Sequence, residues 1–340
     1  MTPSLTPGFL VFTASALVAE LLGAPAQGTH PADVVEYTAA EAPGGYWTPE
    51  RMTRALPLDV VATTVTRVGA LAERLIAPAA VPVRALRPLG VDQRTIARRP
   101  AATRRTVNRS VDTVTSGSQW SGGGAVGTTV GRIFLTLKGV DFVCSGTAVR
   151  SANRDVVATA GHCVKDGTGA WAENWTFVPG YDSGRQPYGS YLARRMFVAG
   201  PWARDADDGF DVGMVAVNDR GGQHLADAVG AQAIGFNGAR GQQTYAFGFP
   251  ADPPYDGEHL LYCAGLPHDD PYKKTQDQGL RCDLTAGASG GPWFGGFDAA
   301  TGQGLLTSVS SFKYSNDDGS MYGPYFGNEV KQVFDTAQQS

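Results

Sequence analysis

From about residue 119 onward the chain divides its apolar residues into short runs bounded by Gly, Asp, Asn or Pro. Arg132–Leu137, Asp155–Ala160, Trp175–Val178, Val212–Val217, Thr244–Phe249, Leu260–Cys263 and Leu305–Phe312 are such runs. A chain punctuated this often buries its apolar surface as an all-β barrel or sandwich, because no run is long enough for a helical stripe. The C-terminus is the exception. Val330, Val333, Phe334 and Ala337 follow a plausible cap, Asn328, at i, i+3, i+4, i+7 spacing, which predicts an amphipathic terminal helix.

Composition places a seam where this pattern begins. Only 8 of the 44 Gly precede residue 119. Residues 1–120 hold 12 Arg, no Lys and 9 acidic residues, a formal +3, whereas the remaining 220 hold 16 basic and 23 acidic, a formal −7. A hydrophobic content of 42% excludes global disorder. No stretch reaches the ~18 apolar residues of a membrane span, so no stable membrane insertion is expected. Residues 1–26 contain a weakly polar run, Phe9–Ala19, and a small-residue site, Ala24-Pro25-Ala26. They read as a secretory signal, although no Lys or Arg precedes the run and an ordinary N-terminal helix is the other reading. Residues 27–118 read as a partly helical pro-segment and linker. Thr48-Pro49-Glu50 marks one helix start, Val60–Leu75 suits a second, and six arginines lie between 94 and 109. Without interleaved aromatics, this basic stretch is a protease-sensitive connector rather than a nucleic-acid site. Residues 119–340 are expected to be the working domain.

Three segments of that domain carry chemistry: Cys144-Ser-Gly-Thr-Ala-Val149 with Val157-Ala-Thr-Ala-Gly-His162-Cys163, Phe210-Asp211-Val-Gly-Met-Val-Ala-Val217, and Cys282-Asp-Leu-Thr-Ala-Gly-Ala-Ser289-Gly-Gly-Pro-Trp293. A serine hydroxyl needs a base within hydrogen-bond reach to act as a nucleophile. Histidine has the pKa for that work, and a buried carboxylate fixes its tautomer. His162, Asp211 and Ser289 supply one of each. The Gly-Ala-Ser-Gly-Gly stretch also fits the G-x-S-x-G elbow of α/β-hydrolases, but that fold needs a histidine after the serine and none follows Ser289.

These segments resemble the chymotrypsin-fold, trypsin-like serine peptidases, and within them the secreted bacterial members related to the glutamyl endopeptidases. The resemblance covers residues 119–340. It implies two antiparallel six-stranded β-barrels with the active site between them, and hydrolysis of polypeptide substrates through an acyl-enzyme. His162 would be the general base, Asp211 its orienting acid and Ser289 the nucleophile, with the N–H groups of Gly287 and Ser289 as the oxyanion hole. It also implies a Cys144–Cys163 bridge, leaving Cys263 with Cys282, although four cysteines alone allow three pairings. Disulfides belong to an oxidising compartment, so an extracellular, secreted protein is expected. A monomer is expected, and no cofactor or metal, since no C-x-x-C pair is present.

Two departures from the trypsin pattern matter. Ala288 precedes the nucleophile where trypsin-like enzymes carry an Asp that pairs with the freed N-terminal amine. Activation by that ion pair is therefore not expected, and the pro-segment would act on the cleft directly or assist folding. Asp283 lies six residues before Ser289, the count of a pocket-floor acid that selects Arg or Lys, and a turn or cap residue is the equal alternative. Ser310, Ser311 and Phe312 would pair with the substrate backbone. Val309 stands where glutamyl enzymes carry a histidine, which disfavours glutamyl specificity. The acidic clusters Asp205–Asp208, Asp269–Asp270 and Asp317–Asp318 read as solvated turns before calcium sites. A catalytically silent binding protein and an esterase with the same triad are the competing functions.

Overall fold

Val130–Leu137 is buried along its whole length, so both faces of this strand are covered. That explains why Val-Gly-Arg-Ile-Phe-Leu-Thr-Leu shows no clean alternation of apolar and polar residues. The computed structural model describes residues 33–40, 45–58 and 112–340. The expected signal, the second expected helix at 60–75 and the arginine stretch lie outside the described residues.

In chain order the first strands are β1 (Val34–Thr38), β2 (Leu56–Pro57), β3 (Val114–Gln119), β4 (Val130–Leu137), β5 (Val140–Val149), β6 (Val156–Thr159), β7 (Glu173–Pro179), β8 (Tyr191–Ala199) and β9 (Gly213–Val217). There follow β10 (Ala233–Ile234), β11 (Thr244–Gly248), β12 (Leu261–Gly265), β13 (His268–Asp269), β14 (Gln278–Arg281), β15 (Pro292–Asp298), β16 (Gln303–Val309), β17 (Phe312–Tyr314) and β18 (Asp317–Gly323). All seven runs singled out in the sequence fall on these strands.

Six strands close the first barrel. Each of β4–β5, β5–β6, β6–β9, β9–β8, β8–β7 and β7–β4 is an antiparallel pair. The second half departs from a simple six-stranded barrel and forms two sheets, β10-β16-β15-β11-β12-β3 and β13-β14-β18-β17. The cause is a handover inside Leu305–Phe312. Ser310 N–H donates to Gly291 O in one sheet, and Ser311 N–H donates to Tyr322 O in the other. Arg132 clamps the two halves together, its Nη1 donating to Tyr181 Oη at 3.1 Å and to Glu258 Oε1 at 2.9 Å.

The helix at Pro49–Arg54 starts where expected, with Thr48 as its cap accepting from Arg51 N–H. The terminal helix Asn328–Ala337 buries Val330, Val333, Phe334 and Ala337 as its spacing requires. Its cap is Gly327, one residue before the expected Asn328, whose Oδ1 instead accepts from Asn237 Nδ2. Cys144–Cys163 and Cys263–Cys282 are bonded, with Cα–Cα separations of 6.3 and 5.6 Å. A loop of that size stabilises by about 3 kcal/mol in the chain-entropy picture.

Residues 33–40 and 45–58 lie on the first barrel. β1 pairs antiparallel with β8, and β2 runs parallel to β5 with Leu56 opposite Phe142. Trp47 Nε1 donates to Asn174 O at 2.6 Å, and Arg51 Nε donates to Asp141 Oδ2 at 2.5 Å. β3 crosses the expected boundary at 118/119 and pairs with β12.

Candidate active site

His162 sits on a single 3-10 turn, Gly161–Cys163, that follows β6 and is tied to β5 through Cys163. A Cβ at Gly161 would stand 2.9 Å from Asp211 Oδ1, so glycine lets this turn close on the carboxylate. Asp211 follows a second 3-10 turn, Asp208–Phe210, which Asp207 caps by accepting from Gly209 N–H. His162 N–H donates to Asp211 Oδ1 at 2.7 Å, and His162 Nδ1 pairs with Oδ2 at 2.8 Å. An ionised carboxylate only accepts, so this contact assigns the proton to Nδ1 and leaves Nε2 as the basic nitrogen. Ser311 Oγ donates to the same Oδ2 at 2.5 Å. Asp211 is fully buried. Burial by itself raises its carboxyl, but the His162 imidazole, the Ser311 hydroxyl and the His162 N–H outweigh it and hold the group below the usual carboxylate range.

Ser289 lies on a turn held by two glycines in the left-handed region, Gly287 at φ +92° and Gly290 at φ +78°. Gly290 has a further constraint, because a Cβ there would overlap Thr159 Oγ1 and Ser145 O. Ser145, on β5, fastens the turn from below. Its N–H donates to Ser289 O at 2.7 Å, and its Oγ donates to Gly287 O at 2.8 Å. Among the described residues the N–H groups of Gly287 and Ser289 have no acceptor, which leaves them available to an oxyanion. Ala288 is buried and packs beside Gly248.

The structure joins His162 to Asp211 and sets Ser289 beside them, its carbonyl meeting Cys163 Sγ at 3.7 Å. It does not join the serine hydroxyl to the imidazole. Ser289 Oγ donates to the carbonyl of Leu58 at 3.4 Å, while His162 Nε2 is buried with no partner among the described residues. Leu58 is itself buried, its N–H donating to Val143 O at 3.2 Å in continuation of β2. The sequence contains no signal for this contact, which joins positions 231 residues apart.

The remaining candidates divide. Ser310 is fully buried, and its Oγ accepts from Trp293 Nε1 at 3.0 Å. Phe312 is buried against Tyr322, with ring centroids 5.4 Å apart. The Asp283 carboxylate faces β3, accepting from Gly117 N–H and Tyr255 Oη, each at 2.7 Å. Burial raises its carboxyl, and these donors outweigh that and lower it below the usual range. Tyr255 is pushed up to about 12, by burial and then by Asp283. These contacts tie the Asp283 loop to β3.

Of the acidic clusters, Asp317 and Asp318 open β18 instead of forming the expected turn, whereas Asp270 holds one. Asp270 accepts from the N–H groups of Tyr272, Lys274 and Thr275 and from Tyr314 Oη. Cys144, His162 and Cys163 are the one group of three potential metal ligands that converge among the described residues, and both sulfurs are committed to the disulfide.

Asp277 escaped the sequence reading. Its side chain is wholly buried, and among the described residues both carboxylate oxygens lack a partner. Burial, reinforced by Asp208, Asp211, Asp207 and Asp270, pushes its carboxyl well above the usual range, while the nearby Arg240 guanidinium reaches only its backbone carbonyl. A carboxyl that stays protonated in the fold but ionises in the unfolded chain makes stability fall as pH rises above about 4. Asp277→Asn removes that dependence. Thermal melts should show the variant gaining on wild type as pH climbs from 4 to 7, with no gap below 4. A variant less stable than wild type at pH 7 would mean that the carboxylate is ionised and paired.

Protease Anisep from Arthrobacter nicotinovorans is 41% identical, over 63% of this chain and 96% of its own, with a TM-score of 0.60. The thermostable serine protease AL20, from an extremophilic microorganism, is 37% identical over 64% of this chain and 99% of its own, with a TM-score of 0.61. A Glu endopeptidase in complex with MPD, at 16% identity and a TM-score of 0.54, shares the fold over 67% of this chain and 98% of its own. The chain therefore belongs to the trypsin-like serine proteases of the chymotrypsin fold. As such it is a hydrolase acting on peptide bonds. The extracellular metalloprotease of Bacillus subtilis is 29% identical over 112 residues, and the match spans only 34% of that protein and 33% of this one. The chain matches no family model. No described helix is long and apolar enough to cross a membrane.

Proposed function

We propose that this chain is the precursor of a secreted serine endopeptidase whose triad is His162, Asp211 and Ser289. The paired His162 and Asp211, set beside the Ser289 turn, carry the reading. In the first half-reaction Ser289 Oγ bonds to the substrate carbonyl carbon and its proton passes to His162 Nε2. The carbonyl oxygen takes the negative charge and is received by the N–H groups of Gly287 and Ser289. His162 then gives the proton to the departing amine, leaving an acyl-enzyme. Water, deprotonated by His162, repeats the attack and releases the acid. Asp211 orients the imidazole and stabilises its charged form throughout.

The precursor half of the proposal rests on residues 45–58. Leu58 O takes the hydrogen bond of the nucleophile, and the adjoining β2 occupies the edge of β5 next to the cleft. In this arrangement the Ser289 hydroxyl is engaged with Leu58 and not with His162. Because Ala288 cannot form the trypsin-type ion pair, removal of this strap is the activating event. Cleavage in the arginine stretch, 94–109, would release it and leave β3 in place. Residues 1–26 would direct export, into a compartment where the two disulfides persist. A tethered segment acts at an effective concentration on the order of millimolar, so the full chain should turn over fluorogenic peptides at least tenfold more slowly than the processed form. N-terminal sequencing of active secreted protein should begin between residues 94 and 112. Full activity with residue 27 still present would rule out the strap as an inhibitor.

A further inference from the structure

A trans peptide places its C=O and N–H on opposite edges of one plane, so a bond that holds the carbonyl also aims the N–H. Ala251 N–H donates to Ala286 O at 2.7 Å, which turns the Gly287 N–H to the opposite side. Gly291 N–H donates to Ala288 O at 2.9 Å and does the same for the Ser289 N–H. These two N–H groups are the pair left without an acceptor among the described residues. The peptide between them is pinned as well, and by a side chain. Ser145 Oγ donates to Gly287 O at 2.8 Å.

That hydroxyl makes a second bond. Phe249 N–H donates to Ser145 Oγ at 2.9 Å, so one fully buried group holds both the Ser289 turn and the segment 249–252. The segment in turn braces Gly287. A Cβ on Gly287 would stand 2.8 Å from Phe249 O and 3.0 Å from Ala251 Cβ, so the two stretches of backbone touch directly. Thr285 closes the clamp from the other end. Its Oγ1 donates to Asp252 O at 2.8 Å and accepts from Asp252 N–H at 3.2 Å. Ser145 is itself anchored, since its carbonyl accepts from Thr159 Oγ1 at 2.8 Å. Its neighbour Cys144 is bonded to Cys163, next to His162, so two adjacent residues of β5 reach the histidine turn and the serine turn.

We propose that Ser145 is a positioning residue for catalysis. Through Gly287 O and the 249–252 segment, its hydroxyl keeps the N–H groups of Gly287 and Ser289 aimed at the cleft. Trypsin-like enzymes give that task to the ion pair of the freed N-terminal amine, which Ala288 cannot form. None of these bonds involves residues 45–58, so release of the strap frees the Ser289 hydroxyl without rebuilding the donors. The inference rests on the peptidase reading, with Gly287 and Ser289 as its oxyanion donors. Ser145→Ala leaves a buried carbonyl and a buried N–H unpaired, which favours any rotation of the turn that finds them new partners.

The test uses processed enzyme, a fluorogenic peptide that wild type cleaves, and a peptidyl trifluoromethyl ketone of the same sequence. The ketone carbon bonds to Ser289 Oγ and its oxygen becomes an oxyanion, whereas the matching peptide amide binds without one. Loss of an oxyanion donor costs roughly a hundred- to a thousandfold, and a misaimed donor costs less. Ser145→Ala should therefore lower kcat about thirtyfold and leave KM within about twofold. The Ki of the ketone should rise by a similar factor while that of the amide holds. A serine that serves the fold alone would lower the melting temperature and leave kcat and the ketone-to-amide ratio of folded enzyme unchanged. That result beside an active wild type would overturn the positioning role and spare the peptidase reading. Thr285→Val, at a half-buried position, should show the same signature at about threefold. It decides the matter if Ser145→Ala does not fold, and an unchanged ratio there would overturn the proposal. If wild type neither cleaves peptides nor reacts with a fluorophosphonate, the peptidase reading fails and the positioning role with it.

Discussion

Ser289→Ala should lower kcat on peptide substrates on the order of a million-fold, with little change in KM. His162→Ala should cost about as much, and the double variant hardly more than either single one, because nucleophile and base act as one unit. The structure makes this a clean pair to compare. Ser289 sits on a turn held by its own backbone and by Ser145, so loss of the hydroxyl leaves the turn intact. Independent additive losses would show that the two side chains do not share a proton.

Asp211→Asn carries the second large effect. His162 Nδ1 and the His162 N–H both donate to this carboxylate, at 2.8 and 2.7 Å, and Ser311 Oγ makes a third donor. A carboxamide keeps the shape but can present N–H to Nδ1, which moves the imidazole proton to Nε2 and removes the base. A loss of about ten thousand-fold in kcat is expected. Thermal melting should change far less than activity. A loss below tenfold would mean that Asp211 is a structural acceptor of the His162 turn and not its orienting acid.

What could be read in advance follows from where the constraint lies. The close approach of His162 to Asp211 and the glycine-held turn at Ser289 are legible in the sequence because local geometry leaves its mark in neighbouring residues. The Gly161 turn closes on Asp211, and Gly287 and Gly290 adopt positive φ beside Ser289. The first barrel was legible for a similar reason, since its strands are bounded by turn residues. Other features depend on partners far along the chain. Leu58 reads as an ordinary apolar residue in a connector until β2 pairs with β5. Asp277 reads as a polar loop residue in Thr-Gln-Asp-Gln, and only packing buries it. Leu305–Phe312 reads as one strand, because hydrophobicity does not record that Ser310 and Ser311 donate to different sheets. Asp283 supports two readings by its count to Ser289, and its contacts with Gly117 N–H and Tyr255 Oη again join residues far apart along the chain.

The claim on which the rest depends is that Ser289 becomes a reactive nucleophile once the strap is gone. Treatment of processed protein with a fluorophosphonate, followed by digestion and mass mapping, tests it most directly. The expected result is one adduct per chain, on the Ser289 peptide, absent from His162→Ala protein and much slower to form in the unprocessed chain. An adduct elsewhere, or none on processed protein with both disulfides intact, would contradict it.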